Sequence, residues 1–385
     1  MKSLYRFGLA ATLLISAACS TTKNSSENTP DNPIIPEPEP EPYVVSDTLK
    51  QAFAAFVDEV NTSKLNIHQV TVYCHGELVG EEYFGTWTAD MPHQLWSTTK
   101  TFTSLAVGFA IQDGLLSLDT KLSDIFPEET AKAAKNAVAD RKDNLMNGTI
   151  EDYLIMACGH NQDATFKLMS QYGVSSSDLY VVTGYAEKNG RDLIADFFNF
   201  QFLRAPGSTF VYDSISSHVL SAAVQKVTGK KTVDYMNEKL FSKIGIEKPQ
   251  WDEVLGVSDG GWGLWLNTRD MAKVGLALLN DKKYYDADII PDDYLEKATA
   301  VHWDWSKSIP KTLSDIEKRA YNSGYGYQIW LNADSFYSKG MLGQYIYVLP
   351  KLDAVMAVTA NLGDDDAPTR LLWKHLVPVF EKEVE

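Results

Sequence analysis

The sequence predicts an α+β fold: an antiparallel sheet flanked by N- and C-terminal helices, with a mostly helical insertion between the two halves of the sheet. Three observations predict it. An apolar stripe of helical spacing over residues 46–61 is followed by an alternating hairpin pattern over 67–84. From residue 97 to 279 the periodicity is mainly helical. Residues 345–360 then hold two apolar runs around a turn at 350–353, and an apolar helix over 371–380 ends the chain. Strands separated by a helix-rich stretch give segregated layers rather than alternating βα units.

Each element has a local reason. In the first helix Leu49, Phe53, Phe56, Val57 and Val60 share a face, and Ser46 or Asp47 can cap it. In the hairpin Val70, Val72 and Cys74 alternate, His75-Gly76-Glu77 turns, and 78–84 return. A polar crossing over 86–95 leads to Ser97. From there a helix sends Phe102, Leu105, Ala106, Phe109 and Ala110 inward and stops at Asp113-Gly114. Residues 129–146 are rich in Ala, Lys and Asp and predict an exposed helix or insertion. Thr149-Ile150-Glu151-Asp152 is a capping-box pattern ahead of a helix over 153–157. Residues 160–190 carry no readable period and are candidates for substrate-specific elements. A helix follows over 192–200. The turn Pro206-Gly207-Ser208 delivers 210–214, and Val219, Leu220, Ala223 and Val227 mark a helix closed by Gly229. Residues 232–244 are helical, 260–265 form a Gly/Trp loop, and Thr268-Arg269-Asp270 opens a helix over 271–279. A strand is predicted over 325–330. No internal repeat is present.

The ends of the chain have a different character. Lys2 and Arg6 precede an apolar run over 7–15, and Ser16-Ala17-Ala18 lead to Cys19. That order is an export signal, and the run is too short to span a membrane as a helix. Small residues ending at a cysteine resemble a bacterial lipoprotein cleavage box, which implies lipidation of Cys19; ordinary cleavage after Ala18 would instead release a soluble secreted protein. Residues 20–45 are polar and rich in Pro and Glu, with the run Pro36-Glu37-Pro38-Glu39-Pro40-Glu41-Pro42, an extended linker that forms no core. The remaining 46–385 form the globular domain. Its setting is then a membrane-anchored lipoprotein facing periplasm or cell surface. A net charge of −16 gives no basic face for nucleic acid.

One short pattern carries chemistry. In Leu95-Trp96-Ser97-Thr98-Thr99-Lys100, a serine and a lysine three apart lie on one helix face, a turn apart. A serine hydroxyl needs a base, and a desolvated lysine can be one. Pathways that need a metal or nucleotide find no support: the histidines are scattered, no HExxH or paired CxxC occurs, and Gly260-Gly261-Trp262-Gly263 lacks the lysine of a phosphate loop. No cofactor is expected. Cys74 and Cys158 could form one disulfide in an oxidising compartment, but both lie in apolar contexts typical of buried thiols.

Six segments in order resemble the serine β-lactamase and penicillin-binding-protein family, in the branch holding class C β-lactamases, D-alanyl-D-alanine peptidases, esterases and 6-aminohexanoate-dimer hydrolase. They are 95–100, 114–119, 149–154, 206–214, 260–270 and 340–361, and the resemblance covers residues 46–381. It implies a β-lactamase/transpeptidase-like fold. It also implies Ser97 as nucleophile, Lys100 as base and Tyr212, in Tyr212-Asp213-Ser214, as a proton relay whose pKa is lowered. Ser214 stands where the family has an asparagine that clamps the substrate amide. The strand motif Lys-Thr-Gly is replaced by Ser338-Lys339-Gly340, with the lysine one place late, so that it can point away from the site. Gly340-Met341-Leu342-Gly343-Gln344 resembles the esterase side of the family, and implies an oxyanion hole from the Ser97 and Met341 amides. Trp262, Trp265, Tyr325, Tyr327 and Trp330 are shared between core and pocket wall.

The expected function is a serine hydrolase acting on an ester or amide through a Ser97 acyl-enzyme, its substrate a small molecule or a peptidoglycan-derived peptide. The departures at Ser214 and Lys339 rank ester or small-amide hydrolysis above D-Ala peptidase activity, and that above efficient β-lactam turnover. The non-enzymatic alternative is an acyl-trapping or cell-wall-binding sensor.

Overall fold

The computed structural model describes residues 43–384, apart from Ser177 and residues 286–288. The expected signal over 1–19, Cys19 and linker residues 20–42 lie outside the described residues. The compact unit begins at Tyr43, three residues before the expected boundary. Tyr43 Oη donates to Glu383 Oε2 at 2.7 Å, and its ring packs on His75 with centroids 4.5 Å apart.

An eight-stranded antiparallel sheet is the backbone of the fold. Its strands are β1 (Ile67–Cys74), β2 (Glu77–Tyr83), β3 (Trp303–Asp304), β4 (Gly324–Tyr325), β5 (Trp330–Leu331), β6 (Phe336–Gly340), β7 (Gln344–Leu349) and β8 (Ala354–Ala360), in the spatial order β2-β1-β8-β7-β6-β5-β4-β3. The first hairpin and the last three strands therefore meet through β1 and β8, with Val70 opposite Val358 and Val72 opposite Met356. Both faces of β7 and β8 are buried, which explains their continuous apolar runs.

Helices cover the two faces. On one side Val70, Val72 and Cys74 pack with Met356 and Val358 against α1 (Asp47–Thr62) and the C-terminal helix, which runs through Ala367–Leu371, a wider-turned Leu372–Leu376 and Val377–Glu383. Ser46 caps α1 by accepting from the Leu49 amide. On the other side lie α2 (Thr99–Gln112), α3 (Ala164–Tyr172), α4 (Ser214–Thr228) and α5 (Thr268–Tyr284) within the helical insertion. Gly275 lets α5 approach the sheet, because a Cβ there would sit 2.4 Å from the Val355 side chain.

Several local expectations are corrected. The strand over 325–330 is two short strands, β4 and β5, around a turn. At that turn the Gly326 backbone lies so close to Ala298 that a Cβ would fall 2.0 Å from its carbonyl oxygen, and Gln328 adopts φ 56°. The capping box at Thr149 is formed, but its helix is Ile150–Leu154, not 153–157; Met156 at φ 59° turns the chain away. The unreadable 160–190 holds α3 and a helix over Leu179–Lys188. Cys74 and Cys158 are both buried, in the separate cores on opposite sides of the sheet, and no disulfide joins them. Among the described residues no helix is long and apolar enough to cross a membrane.

Candidate active site

Ser97 sits in a single 3-10 turn, Trp96–Thr98, that runs directly into α2. Trp96 before it has φ 49°, a left-handed conformation that costs a bulky residue on the order of 1 kcal/mol. Neighbouring backbone holds that turn in place. Leu95 N donates to Leu264 O at 2.8 Å, and Thr98 Oγ1 donates to Gln344 O at 3.2 Å. Below it α2 is buried along nearly its whole length, so its polar residues need partners. Thr101 and Thr103 donate to the carbonyls of Gln328 and Gly260, Ser104 bonds Tyr294, and Thr99 accepts from Leu264 N. These hydroxyls fix the helix, and with it the nucleophile, against three other segments.

Lys100 Nζ lies 2.9 Å from Ser97 Oγ, 3.0 Å from Ser214 Oγ and 2.7 Å from Gly261 O. The side chain is only 1% exposed. Burial brings its pKa down to about 8, against the raising influence of Asp163, Asp259 and Asp213. Ser214, standing where the family has its amide-clamping asparagine, is buried with its hydroxyl turned onto the lysine. Gly261 comes within reach of Lys100 because it has no side chain: a Cβ would meet Ser214 O at 2.6 Å. Asp259 Oδ1 accepts from Gly261 N at 3.0 Å and so fixes this loop; burial raises its carboxyl well above the usual range.

Tyr212 neighbours Ser97, its ring stacks on Trp330 with centroids 5.7 Å apart, and Lys100 Nζ lies 4.9 Å from its centre. The lowered pKa expected for this phenol is not found. Burial raises it, and the neighbouring Ser97 hydroxyl offsets only part of the rise. Tyr212 is therefore a neutral phenol, and Lys100 is the group poised near neutrality. Asp213 is the N-cap of α4, its Oδ1 accepting from Ile215 and Ser216 N, while its Oδ2 accepts from His160 Nδ1 at 3.0 Å and Ala164 N at 3.2 Å. This fully buried carboxylate places Tyr212 and Ser214 on either side of itself. Cys158, His160 and Asp213 have ligand-type atoms within 4.8 Å of one another. Both Asp213 oxygens, however, already hold backbone and imidazole donors, so the grouping reads as a structural support.

On β6 the alternation of side chains separates the expected residues. Lys339 points away from Ser97, pairing with Asp366 at 2.6 Å and Asp365 at 3.3 Å. Ser338 faces the opposite side and accepts from Ile346 N. Gly340, expected at the oxyanion hole, is a spacing residue: a Cβ would lie 2.2 Å from Leu95 O, so only glycine lets β6 touch the nucleophile turn. Gln344 shapes the next turn, bonding Met341 O at 3.0 Å and both backbone groups of Ala360. Its grip on the Met341 carbonyl, with Leu342 and Gly343 at φ 68° and 96°, sets the course of the chain after β6. Neither the Ser97 nor the Met341 N–H is spent on a turn or loop hydrogen bond among the described residues.

Of the aromatic residues, Trp262, Tyr325 and Tyr327 are core, whereas Trp265 and Trp330 remain partly exposed. Sequence reasoning missed Asp163, Asp213, Gly261 and Gln344. The paired glycines 260 and 261 were the available signal, since an unexplained Gly-Gly marks a close backbone approach.

A sequence profile of the Beta-lactamase family matches residues 52–377. A lovastatin esterase from Penicillium rubens is 25% identical over 186 residues, which is 48% of this chain and 46% of that protein. The match thus spans about half the length of the curated relative. A structure from Bacillus anthracis assigned as a 6-aminohexanoate-dimer hydrolase superposes with a TM-score of 0.65 at 19% identity, over 84% of this chain and 81% of that one. EstCE1, a hydrolase with promiscuous acyltransferase activity, gives a TM-score of 0.65 at 14% identity, over 85% and 99%. The two structural likenesses are to the fold.

Proposed function

The chain belongs to the Beta-lactamase family of serine hydrolases, and from that premise we propose that it hydrolyses ester or small amide carbonyls through an acyl-enzyme on Ser97. The observation that carries this is the Ser97–Lys100 pair: a nucleophile hydrogen-bonded to a fully buried amine whose pKa lies at about 8. Neutral Lys100 takes the Ser97 proton as Oγ bonds to the substrate carbonyl carbon. The carbonyl oxygen gains the electron pair, and the amides of Ser97 and Met341 donate to it. As the bond to the leaving alcohol or amine breaks, Lys100 returns the proton through the neutral Tyr212 phenol. Water then attacks the ester, giving its proton to Lys100, and Ser97 is restored with release of the acid.

Ester and small-amide substrates are favoured over β-lactams because Ser214 is engaged with Lys100 and Lys339 with Asp366. The Lys339 ammonium is thus held away from a substrate carboxylate, and the short Ser214 hydroxyl already accepts from Lys100. The lovastatin esterase relative is in keeping with that choice. Labelling with a fluorophosphonate probe tests the nucleophile: wild type should be labelled and Ser97→Ala should not, and a labelled variant would overturn the assignment. A p-nitrophenyl ester, a D-Ala-D-Ala peptide and a chromogenic cephalosporin should be turned over in descending order. A stable acyl adduct without turnover would identify an acyl-trapping sensor instead. We further propose export with lipidation at Cys19, supported by the charged start, apolar run and small residues ahead of it; incorporation of labelled palmitate, lost in Cys19→Ser, tests it.

A further inference from the structure

A substrate carbon bonded to Ser97 Oγ has three other substituents. In the mechanism above, its oxyanion meets the Ser97 and Met341 amides, and its leaving group lies on the Tyr212 side. The acyl chain needs a surface of its own, and the segment that enters the nucleophile turn has one. Trp96, bonded directly to Ser97, is partly exposed, and its ring makes a T-shaped contact with Tyr180, centroids 6.0 Å apart. Tyr180 stands on the helix Leu179–Lys188, inside the stretch whose sequence has no readable period. Its hydroxyl accepts from Gln94 Nε2 and donates to Asp252 Oδ2 at 2.9 Å. Trp265, opposite Gln94 in a short antiparallel pair, donates its Nε1 to the same Asp252 oxygen at 2.9 Å. One carboxylate oxygen thus draws the polar tips of Tyr180 and Trp265 together. Near the far end of the helix, Glu187 Oε1 accepts from Leu255 N at 3.0 Å, so the helix is tied at both ends.

We propose that Trp96, Tyr180 and Trp265 form an apolar platform that binds the acyl chain, and that the protein selects esters of extended aliphatic acids over acetyl esters. The proposal rests on the hydrolase reading above and names the substrate class for it. Tyr180 and Trp265 have their polar tips hydrogen-bonded to Asp252, so they offer a ligand only apolar ring surface. That surface is open: Tyr180 is 38% exposed, and Trp96 and Trp265 are partly exposed. It adjoins the nucleophile through the chain itself. Tyr212 has other aromatic neighbours, Tyr325 and Trp330, so the two sides of the ester meet different groups of rings. The left-handed backbone at Trp96, φ 49°, persists only where its surroundings hold it, and the Tyr180 ring and Gln94 bond are part of that hold. Each methylene fully removed from water is worth a factor of about four in affinity, and a one-sided platform covers roughly half of a chain laid on it.

The test compares p-nitrophenyl hexanoate with p-nitrophenyl acetate, each rate corrected for the ester's reactivity with hydroxide. Wild type should prefer hexanoate in kcat/KM by about tenfold. Tyr180→Phe keeps the ring and loses only the hydroxyl, and its ratio should stay within about threefold of wild type. Tyr180→Ala removes the ring, and its ratio should fall to near one. Circular dichroism checks that both variants are folded. A wild-type ratio at or below one, or a ratio unchanged in folded Tyr180→Ala, would overturn the proposal. So would a Tyr180→Phe ratio as low as that of Tyr180→Ala, since the hydroxyl rather than the ring would then decide. Failure of the acyl-enzyme reading looks different: wild type would turn over neither ester, or Ser97→Ala would still turn over one.

Discussion

The buried lysine makes a prediction that stability and activity can both read. Its pKa falls from 10.5 in the unfolded chain to about 8 in the fold, with burial as the cause. At about 1.4 kcal/mol per pH unit, holding the charged form inside the protein costs about 3 kcal/mol. At pH 7 both states keep the proton, so the folded state bears the whole cost. Between pH 8 and 10.5 the unfolded lysine is protonated and the folded one is not, so unfolding takes up a proton and stability rises with pH. Lys100→Met removes this titration and leaves the others. Urea unfolding of both proteins should therefore show the wild type gaining about 3 kcal/mol relative to Lys100→Met as pH rises through that window. The same neutral amine is the proposed base, so kcat/KM on a neutral ester should rise with pH to a plateau, with an apparent pKa of about 8. A stability difference that stays flat from about pH 7 to 10, or that falls, would refute the depressed lysine and the base role built on it.

Two substitutions on β6 test opposite claims. Gly340→Ala puts a methyl 2.2 Å from Leu95 O, and a backbone carbonyl next to the nucleophile turn cannot withdraw without moving Ser97. Its kcat/KM should fall about 100-fold, with a stability loss of about 1–3 kcal/mol, measured by ester hydrolysis and thermal unfolding. Activity within about twofold of wild type would show that the contact does not position the nucleophile. Lys339→Ala should change kcat/KM by less than about threefold and stability by less than about 1 kcal/mol, since its partners are exposed acids. A larger loss confined to carboxylate-bearing substrates would restore the family's carboxylate-binding role to this residue.

What the sequence determined follows from short-range rules. Apolar spacing located α1 and the hairpin, Ser46 and Thr149 announced their caps, and the three-residue interval from Ser97 to Lys100 placed hydroxyl and amine a turn apart. Strand alternation was enough to allow Lys339 to face away from Ser338. Where several elements meet, those rules gave out. Helix α2 hid its role because its buried threonines and serine are satisfied by segments up to 227 residues away. Only the tertiary structure decided that Ser214 serves the lysine, that burial raises Tyr212 instead of lowering it, and that Gly340 and Gly261 exist for close approaches. Desolvation and charge pairing depend on what surrounds a group in three dimensions, and a linear spacing does not contain that.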